Sequence, residues 1–454
     1  MSDPSAAGTA VPVPVQVPFE VRSLRRRQAL LWLLASALLA LLALLSAGFF
    51  LYAAVVTAAV LGIGALLPAA SLLGLEVRRS LEAETVEIGG TVESRIELHN
   101  GKDLPALWLF WKDEIEPGLA PEGITCGFQS LKSEETVRSS CILHGTRRGL
   151  FRVGPSMIET SDPLGLIRRF RVDPEVGFVT VLPRTVDIGP GWPLGYRPIH
   201  EVPRRRSLSE DPSRFLGVRD YRAGDSLRRI HWRATARSGR LQVKLFEPSV
   251  LEGVLLAVEM GTAAWPHAPE ETGTDPAVEL AVTAAASIAE FVLANGQAVG
   301  LLSNGGDAAE RYPSDWKGGS FRRLEDALQE TEARCEIAAY RPLDVEPGQG
   351  RWQLDHLRTA LARLTLAPGL TLPELLMAEA PRLPRSLVVL AIAPDLGGGL
   401  GEALAVLRRS GFEVGVVWIQ RAGGGPAAAG LPEGVPVYLV QEETDLERLG
   451  AQAL

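Results

Sequence analysis

The sequence predicts a multi-domain protein in which a transmembrane helical hairpin is followed by an antiparallel β-sandwich and then by an α/β domain. Three features predict this order: a long uncharged stretch near the N-terminus, a region of alternating apolar and polar residues, and a C-terminal region in which strand-like runs alternate with helical ones. A chain of 454 residues is long enough for two or three domains.

The uncharged stretch covers residues 28–75 and consists mainly of Leu, Ala and Val. As one helix it would be about 72 Å long, more than twice the ~30 Å hydrocarbon core of a bilayer. It is also far too long for the apolar core of a secretory signal peptide. We therefore expect two membrane-spanning helices, at 29–45 and 49–67, joined by a tight connection at 46–48.

Arginine residues flank this predicted hairpin on both sides, and no charged residue lies between its helices. They are Arg22, Arg25, Arg26 and Arg27 before the first helix, and Arg78 and Arg79 after the second. Positive residues remain on the cytoplasmic side, so the flanks predict a multi-pass protein of the cell membrane with both termini and the soluble domains in the cytoplasm. Specific recognition of anionic lipid is the alternative role for these arginines. Residues 1–27 form a proline-rich, basic tail.

Residues 76–190 alternate between apolar and polar side chains in short segments separated by Gly, Pro and Asn. The clearest segments are 91–98, 107–111, 136–143, 151–153 and 178–182. This period of two, with turns at this spacing, is typical of an antiparallel sandwich. We expect an immunoglobulin-like β-domain close to the membrane.

Residues 248–454 have the pattern of a parallel α/β sheet of Rossmann type. A strand at Gly253–Val258, a helix at Pro276–Ala294 and a strand at 298–302 make the clearest unit. Further buried strands are predicted at 386–393 and 412–418, with a helix at 402–409 between them.

Composition and motifs exclude several functions. A net charge of −8 argues against nucleic-acid binding, which needs a basic surface. Cys126, Cys141 and Cys335 are too widely spaced for a disulfide framework or a zinc site. The chain has no phosphate-binding Gly-x-x-x-x-Gly-Lys loop and no Gly-x-Ser-x-Gly elbow, so neither ATP hydrolysis nor serine hydrolase chemistry is indicated.

An arginine-rich connector, residues 191–247, lies between the two predicted soluble domains. Its part from Arg204 to Lys244 holds 12 Arg and Lys residues and 4 Asp and Glu residues, a local excess of +8. One interpretation is a basic docking surface, in which guanidinium groups bind carboxylates or phosphates of a partner. Its arginines would be Arg219, Arg222, Arg229, Arg233 and Arg237. In the other interpretation Asp220 and Asp225 pair with some of these arginines, while Tyr221, Ile230 and Trp232 pack inward.

The connector also carries a recognisable signature. Its residues are Phe215, Gly217, Arg219, Tyr221, Gly224, Asp225, Arg229, His231, Trp232 and Arg237. The segment resembles a bacterial family known as domain of unknown function number fifty-eight, and Asp162 to Leu166 looks like the β-domain of that family. The resemblance implies a von Willebrand factor A-like fold for the C-terminal domain. It also implies a protein partner of the MoxR-type AAA ATPase class, since the two are often encoded side by side.

Domains of the A type commonly hold Mg²⁺ through Asp-x-Ser-x-Ser after the first strand. The matching residues here are Glu259, Gly261 and Ala263, and the two small residues offer no side-chain oxygen. Asp395 matches a further acidic position. We expect a degenerate site and no cofactor, with Glu259 and Asp395 in solvation or local hydrogen bonds; retained Mg²⁺ binding is the alternative.

These features predict a membrane-anchored adaptor without a catalytic site that acts with a MoxR-type AAA ATPase in protein assembly or maturation. One alternative is a hydrolase that uses a residual metal or a site around His231, where Asp225 and Ser226 are close in sequence. The other is a passive structural membrane protein.

Overall fold

A computed structural model of the protein describes residues 26–45, 48–189, 210–222, 228, 230–248, 253–265, 275–312, 317–332, 341–397, 399–420, 432 and 434–449. Two apolar helices come first, α1 (Arg26–Leu45) and α2 (Phe49–Leu72). The stretch Leu51–Leu72 is long and apolar enough to cross a membrane. A core helix, Pro276–Ala294, passes the same test, but 67% of it is buried in the protein.

Helix α2 continues beyond the predicted end at Leu67 because its last turns pack on the β-rich region. Its buried residues there are Gly64, Pro68, Ser71 and Leu72. The Lys102 ammonium donates to the carbonyl oxygens of Ala70, of Ser71 at 2.9 Å and of Leu73 at 2.8 Å, which satisfies the helix C-terminus. The apolar run thus extends from the predicted membrane segment into a protein contact.

The β-rich region contains two sheets. Its strands are β1 (Leu75–Leu81), β2 (Thr85–Glu87), β3 (Thr91–Asn100), β4 (Ala106–Ile115), β5 (Leu119–Gly123), β6 (Cys126–Leu131), β7 (Thr136–Gly145), β8 (Gly149–Ser161), β9 (Arg168–Asp173) and β10 (Gly177–Leu182). One sheet has the order β1-β3-β7-β5, and the other contains β9-β8-β10-β2, with β4 joining β8 to β6. Leu98 and Leu143 of the first sheet and Ile158 of the second are fully buried. The five predicted segments lie within β3, β4, β7, β8 and β10.

Arg79 is not a free basic flank of the membrane helices. Its guanidinium forms an ion pair with Asp113, and the two side chains are 2% and 4% exposed. Ser94 and Ser156 accept further hydrogen bonds from it at 3.3 and 3.1 Å. Burial, together with the charge of Asp113, raises the pKa of the neighbouring Cys141 thiol to about 11. Of the two arginines predicted to flank the second helix, Arg78 is exposed and Arg79 is buried.

The C-terminal region is built around a mainly parallel sheet. After β11 (Glu210–Asp220), α3 (Trp232–Ser238) and β12 (Gln242–Pro248), its elements are β13 (Gly253–Val258), α4 (Pro276–Ala294), β14 (Ala298–Ser303), β15 (Gly306–Asp307), β16 (Gly319–Phe321), α5 (Leu324–Thr331), β17 (Leu343–Gly348), α6 (Arg351–Arg363), β18 (Leu364–Thr365), α7 (Leu372–Glu379), β19 (Leu387–Ala393), α8 (Leu400–Arg409), β20 (Glu413–Ile419), β21 (Val437–Val440) and α9 (Glu443–Leu446). The sheet order is β17-β14-β13-β19-β20-β21, with β17 antiparallel to β14. Helix α4 begins where predicted, because Asp275 caps it and Pro276 occupies its first turn.

The β-rich and α/β regions interlock. Strand β16 pairs with β9 and thereby becomes the edge of the β-rich sheet, with Phe321 opposite Phe170. The Arg148 guanidinium, beside β8, donates to Glu279 of α4 at 2.9 Å and to the carbonyl oxygen of Leu361 at 2.8 Å. The predicted boundaries at residues 190 and 248 mark where the sequence pattern changes. In the structure the β-rich and α/β regions on either side of them share a sheet through β16.

Candidate docking surface

The signature residues lie on an arm that consists of β11, α3 and β12. The two strands form an antiparallel sheet of their own, in which Arg219 is opposite Val243 and Asp220 is opposite Gln242. Its small interior contains Ile230 and Val243, both buried and bridged to each other. The described part of the arm therefore has little core of its own.

Local hydrogen bonds fix helix α3 at both ends. The Nδ1 atom of His231 accepts a hydrogen bond from the Ala234 amide at 3.0 Å, so His231 is the N-cap. Gly239 ends the helix in the left-handed conformation with φ of 68°, which favours glycine. The Gln242 amide donates to the Thr235 hydroxyl at 3.0 Å and attaches the helix to β12. Because Nδ1 of His231 is engaged as a cap, that atom is not available as a catalytic base.

The arm exposes one large aromatic residue among arginines. Trp232 is 69% exposed, and Arg233 and Arg237 on the same helix are exposed as well. Arg222, Arg228 and Arg240 are the other exposed arginines of the described arm. Val218 and Leu241 add exposed apolar surface. The interpretation in which Trp232 packs inward is wrong for this residue: Ile230, two residues earlier, is buried, and Trp232 begins a helix that buries none of its residues.

The other signature residues lie near the turn end of the hairpin. Gly217, Arg219 and Tyr221 are half-buried, and the Arg219 guanidinium donates to the Asp220 carbonyl oxygen at 3.1 Å. The Asp220 carboxylate accepts a hydrogen bond from the Gln242 side chain. Gly224, Asp225, Arg229 and the side chain of Phe215 lie outside the described residues, so the predicted pairing of Asp225 is not tested.

Glu259, at the carboxyl end of β13, is enclosed by nitrogen donors. Its Oε1 accepts hydrogen bonds from the Gly261 amide at 2.8 Å and from the Asn304 side chain at 2.6 Å. Its Oε2 accepts from the Leu372 amide at 3.4 Å, and the side chain is buried. Asn304 was not singled out from the sequence, although its place directly after a buried strand beside β13 was the available signal.

Asp395, after β19, has a local partner too. It is exposed, and its Oδ1 accepts a hydrogen bond from the Gly397 amide at 2.9 Å. These residues do not fit Mg²⁺: the Glu259 oxygens face N–H donors, and the neighbouring Gly261 and Ala263 contribute no side-chain oxygen. Within the part of the chain that the structure describes, no group of three or more His, Cys, Asp or Glu residues could hold a metal ion.

The arrangement defines a multi-domain protein with two apolar N-terminal helices and an exposed, arginine-rich arm. The model of the family described as "Protein of unknown function DUF58" matches residues 217–352, which extend from β11 into α6. This match supports the family resemblance found in the sequence. No curated protein matches the chain.

Solved structures resemble the chain only weakly. A FixG-related protein from Vibrio parahaemolyticus is 4% identical with a TM-score of 0.17, covering 24% of this chain and 96% of that one. A beta-glucosidase from Listeria innocua is 16% identical with a TM-score of 0.16, covering 24% of this chain and 16% of that one. A GH20 exo beta-N-acetylglucosaminidase from Vibrio harveyi is 10% identical with a TM-score of 0.20, covering 83% and 80%. Similarities at this level carry no argument about function.

Proposed function

We propose that the protein is a membrane-anchored adaptor whose arm docks on an acidic surface of a protein partner. In this proposal α1 and α2 hold the chain in the cell membrane and the remaining regions lie in the cytoplasm. The β-rich region is proposed to be an immunoglobulin-like sandwich, and the α/β region a von Willebrand factor A-like domain without a bound metal. No catalytic site, cofactor or nucleic-acid partner is proposed.

The exposed Trp232 within a cluster of arginines is the observation that carries the proposal. Trp and Arg are the residue types that most often dominate binding energy at protein interfaces. Arg233 and Arg237 are four residues apart on α3, so they lie on one face of the helix. Two guanidinium groups on one face can form paired hydrogen bonds with carboxylates.

Charge supports an acidic partner. The segment from Arg204 to Lys244 has a local excess of +8 within a chain whose net charge is −8. An excess of this kind attracts an acidic surface and raises the association rate, an effect that falls with ionic strength. A MoxR-type AAA ATPase is the proposed partner on the basis of the family resemblance, and it would supply the ATP hydrolysis for which this sequence has no motif.

Capture of the partner tests the proposal. The full chain, solubilised in detergent, would be immobilised and exposed to a purified MoxR-type AAA ATPase from the same organism. The variants are Trp232→Ala and the double variant Arg233→Glu/Arg237→Glu. The control is Arg385→Glu/Arg409→Glu, which reverses two exposed charges outside the arm.

Both arm variants should lose capture while the control retains it, and added salt should weaken binding of the unaltered chain. The free energy of unfolding should change by no more than about 0.5 kcal/mol in any of these variants, because the altered side chains are exposed. Equal capture by all variants would contradict the docking role of the arm. Failure of the unaltered chain to capture the ATPase would leave the passive structural protein as the better interpretation.

A further inference from the structure

The loop between β8 and β9, residues 162–167, lies against helix α2 above the end of that helix. Gly64 is the point of contact, since a Cβ at this position would lie 3.5 Å from Asp162 Oδ2 and 3.6 Å from Asp162 Cβ. Gly64 precedes the last helical residue, Leu72, by eight residues, which corresponds to about 12 Å along the helix axis. The loop therefore reaches well up the side of α2.

Hydrogen bonds hold this loop in one shape. The buried Asp162 accepts from the Ile167 amide through Oδ1 at 2.7 Å and from the Leu164 amide through Oδ2 at 3.2 Å. The Gly165 amide donates to the Asp162 carbonyl oxygen at 2.9 Å. With the acidic group turned inward, the outer face of the loop consists of apolar side chains, and Leu164 is 54% exposed.

The length of α2 places this apolar face at membrane depth if the helix crosses a bilayer. From Phe49 to Gly64 the helix rises about 22 Å, which is less than the ~30 Å hydrocarbon core. A helix that enters the core at Phe49 leaves it near Pro68, about four residues beyond Gly64. Leu66, beyond Gly64 on α2, is also strongly exposed.

We infer that the 162–167 loop is a membrane-inserted element, with Leu164 in contact with lipid at the boundary between acyl chains and headgroups. The inference rests on the membrane anchoring in the proposed function and names a second contact with the same bilayer. A rigid apolar loop beside a spanning helix would fix how the β-rich region is oriented on the membrane surface. A second exposed leucine, Leu104, should lie shallower, because its loop carries Lys102 at the C-terminus of α2.

Fluorescence quenching by lipid nitroxides tests the inference. Single cysteines would replace Leu164, Leu104, Val55 and Thr146 in a chain carrying Cys126→Ser, Cys141→Ala and Cys335→Ser. Each would receive an environment-sensitive fluorophore, and the full chain would be reconstituted in phosphatidylcholine and phosphatidylglycerol vesicles. Val55, which is exposed on α2, reports on the anchor. Thr146, which is exposed at the opposite end of β8, is the distal control.

The fluorophore at position 164 should emit at shorter wavelength and be quenched by nitroxides attached to the upper part of the acyl chain. The fluorophore at position 55 should be quenched by nitroxides attached deeper in the acyl chain. The fluorophore at 104 should respond only to headgroup nitroxides, and the one at 146 to none. Quenching at 55 without quenching at 164 would overturn the inference and leave the anchor intact. No quenching at 55 would overturn the anchor itself. Pro163→Cys, an adjacent exposed position, repeats the test if the label at 164 impairs folding.

Discussion

The arginines of the β-rich region and those of the arm have the same chemistry but opposite surroundings. Arg79 is enclosed with Asp113, Ser94 and Ser156, and all of its neighbours were supplied by distant parts of the chain. Arg233 and Arg237 lie on a short exposed helix. A buried guanidinium paired with a buried carboxylate acts on stability, because removing it leaves a buried charge. An exposed one contributes little to stability and is available for binding.

The largest effect is expected where the ion pair is most buried. Arg79→Ala should destabilise the fold by about 3 to 5 kcal/mol, because Asp113 would remain buried without its countercharge. Denaturant unfolding of the detergent-solubilised chain measures the loss. Arg78→Ala is the matched control in the same strand. It should change the free energy of unfolding by no more than about 0.5 kcal/mol, because Arg78 is exposed. Equal effects of the two substitutions would show that burial does not decide the role of these arginines.

A smaller loss is expected at the contact between the β-rich and α/β regions. Arg148→Ala removes donors to Glu279 and to the carbonyl oxygens of Leu361 and Leu364, all within 3.0 Å. Leaving these acceptors without partners should cost about 2 to 3 kcal/mol. Faster proteolysis between β14 and α6 would accompany the loss if the two regions separate. Arg138→Ala, which breaks an exposed pair with Glu97, provides the comparison and should cost under about 1 kcal/mol.

The smallest stability effect is expected in the arm. His231→Ala removes the N-cap of α3 and should cost about 1 kcal/mol locally, whereas His231→Asn keeps an acceptor at the cap position. The rate of hydrogen exchange at the Ala234 amide measures the loss of the cap. Exchange should be fast in the alanine variant and close to that of the unaltered chain in the asparagine variant. Fast exchange in both variants would mean that the imidazole ring supports the helix by more than capping.

Elements with strong local signals could be predicted from the sequence. Strand Gly253–Val258 and helix Pro276–Ala294 have the predicted bounds, because a continuous apolar run and a capping Asp275 followed by proline define them locally. Helix α2 ends five residues later than predicted, since an apolar face looks the same in sequence whether lipid or protein covers it.

Features that depend on distant partners could not be predicted. Arg79 was assigned to the membrane flank because its partner, Asp113, is 34 residues away. Strand β16 is only three residues long, which is too short to show an alternation of apolar and polar residues in the sequence. It nevertheless forms the edge of the β-rich sheet. In one of the two sequence interpretations Trp232 packed inward, whereas the side chain is exposed. The capping role of His231 had no sequence signal that distinguished it from a packed histidine.

The position of β16 has a consequence during synthesis of the chain. Its partner β9 ends at Asp173, and Gly319 leaves the ribosome about 145 residues later, roughly 7 to 30 s at usual translation rates. The edge of β9 has unpaired backbone groups for that whole interval, when the hydrophobic hairpin has already emerged. An open strand edge can pair with another nascent chain. The protein is therefore exposed to aggregation through this edge while the roughly 145 residues between β9 and β16 are being translated, and a chaperone that covers the β9 edge would act in that interval.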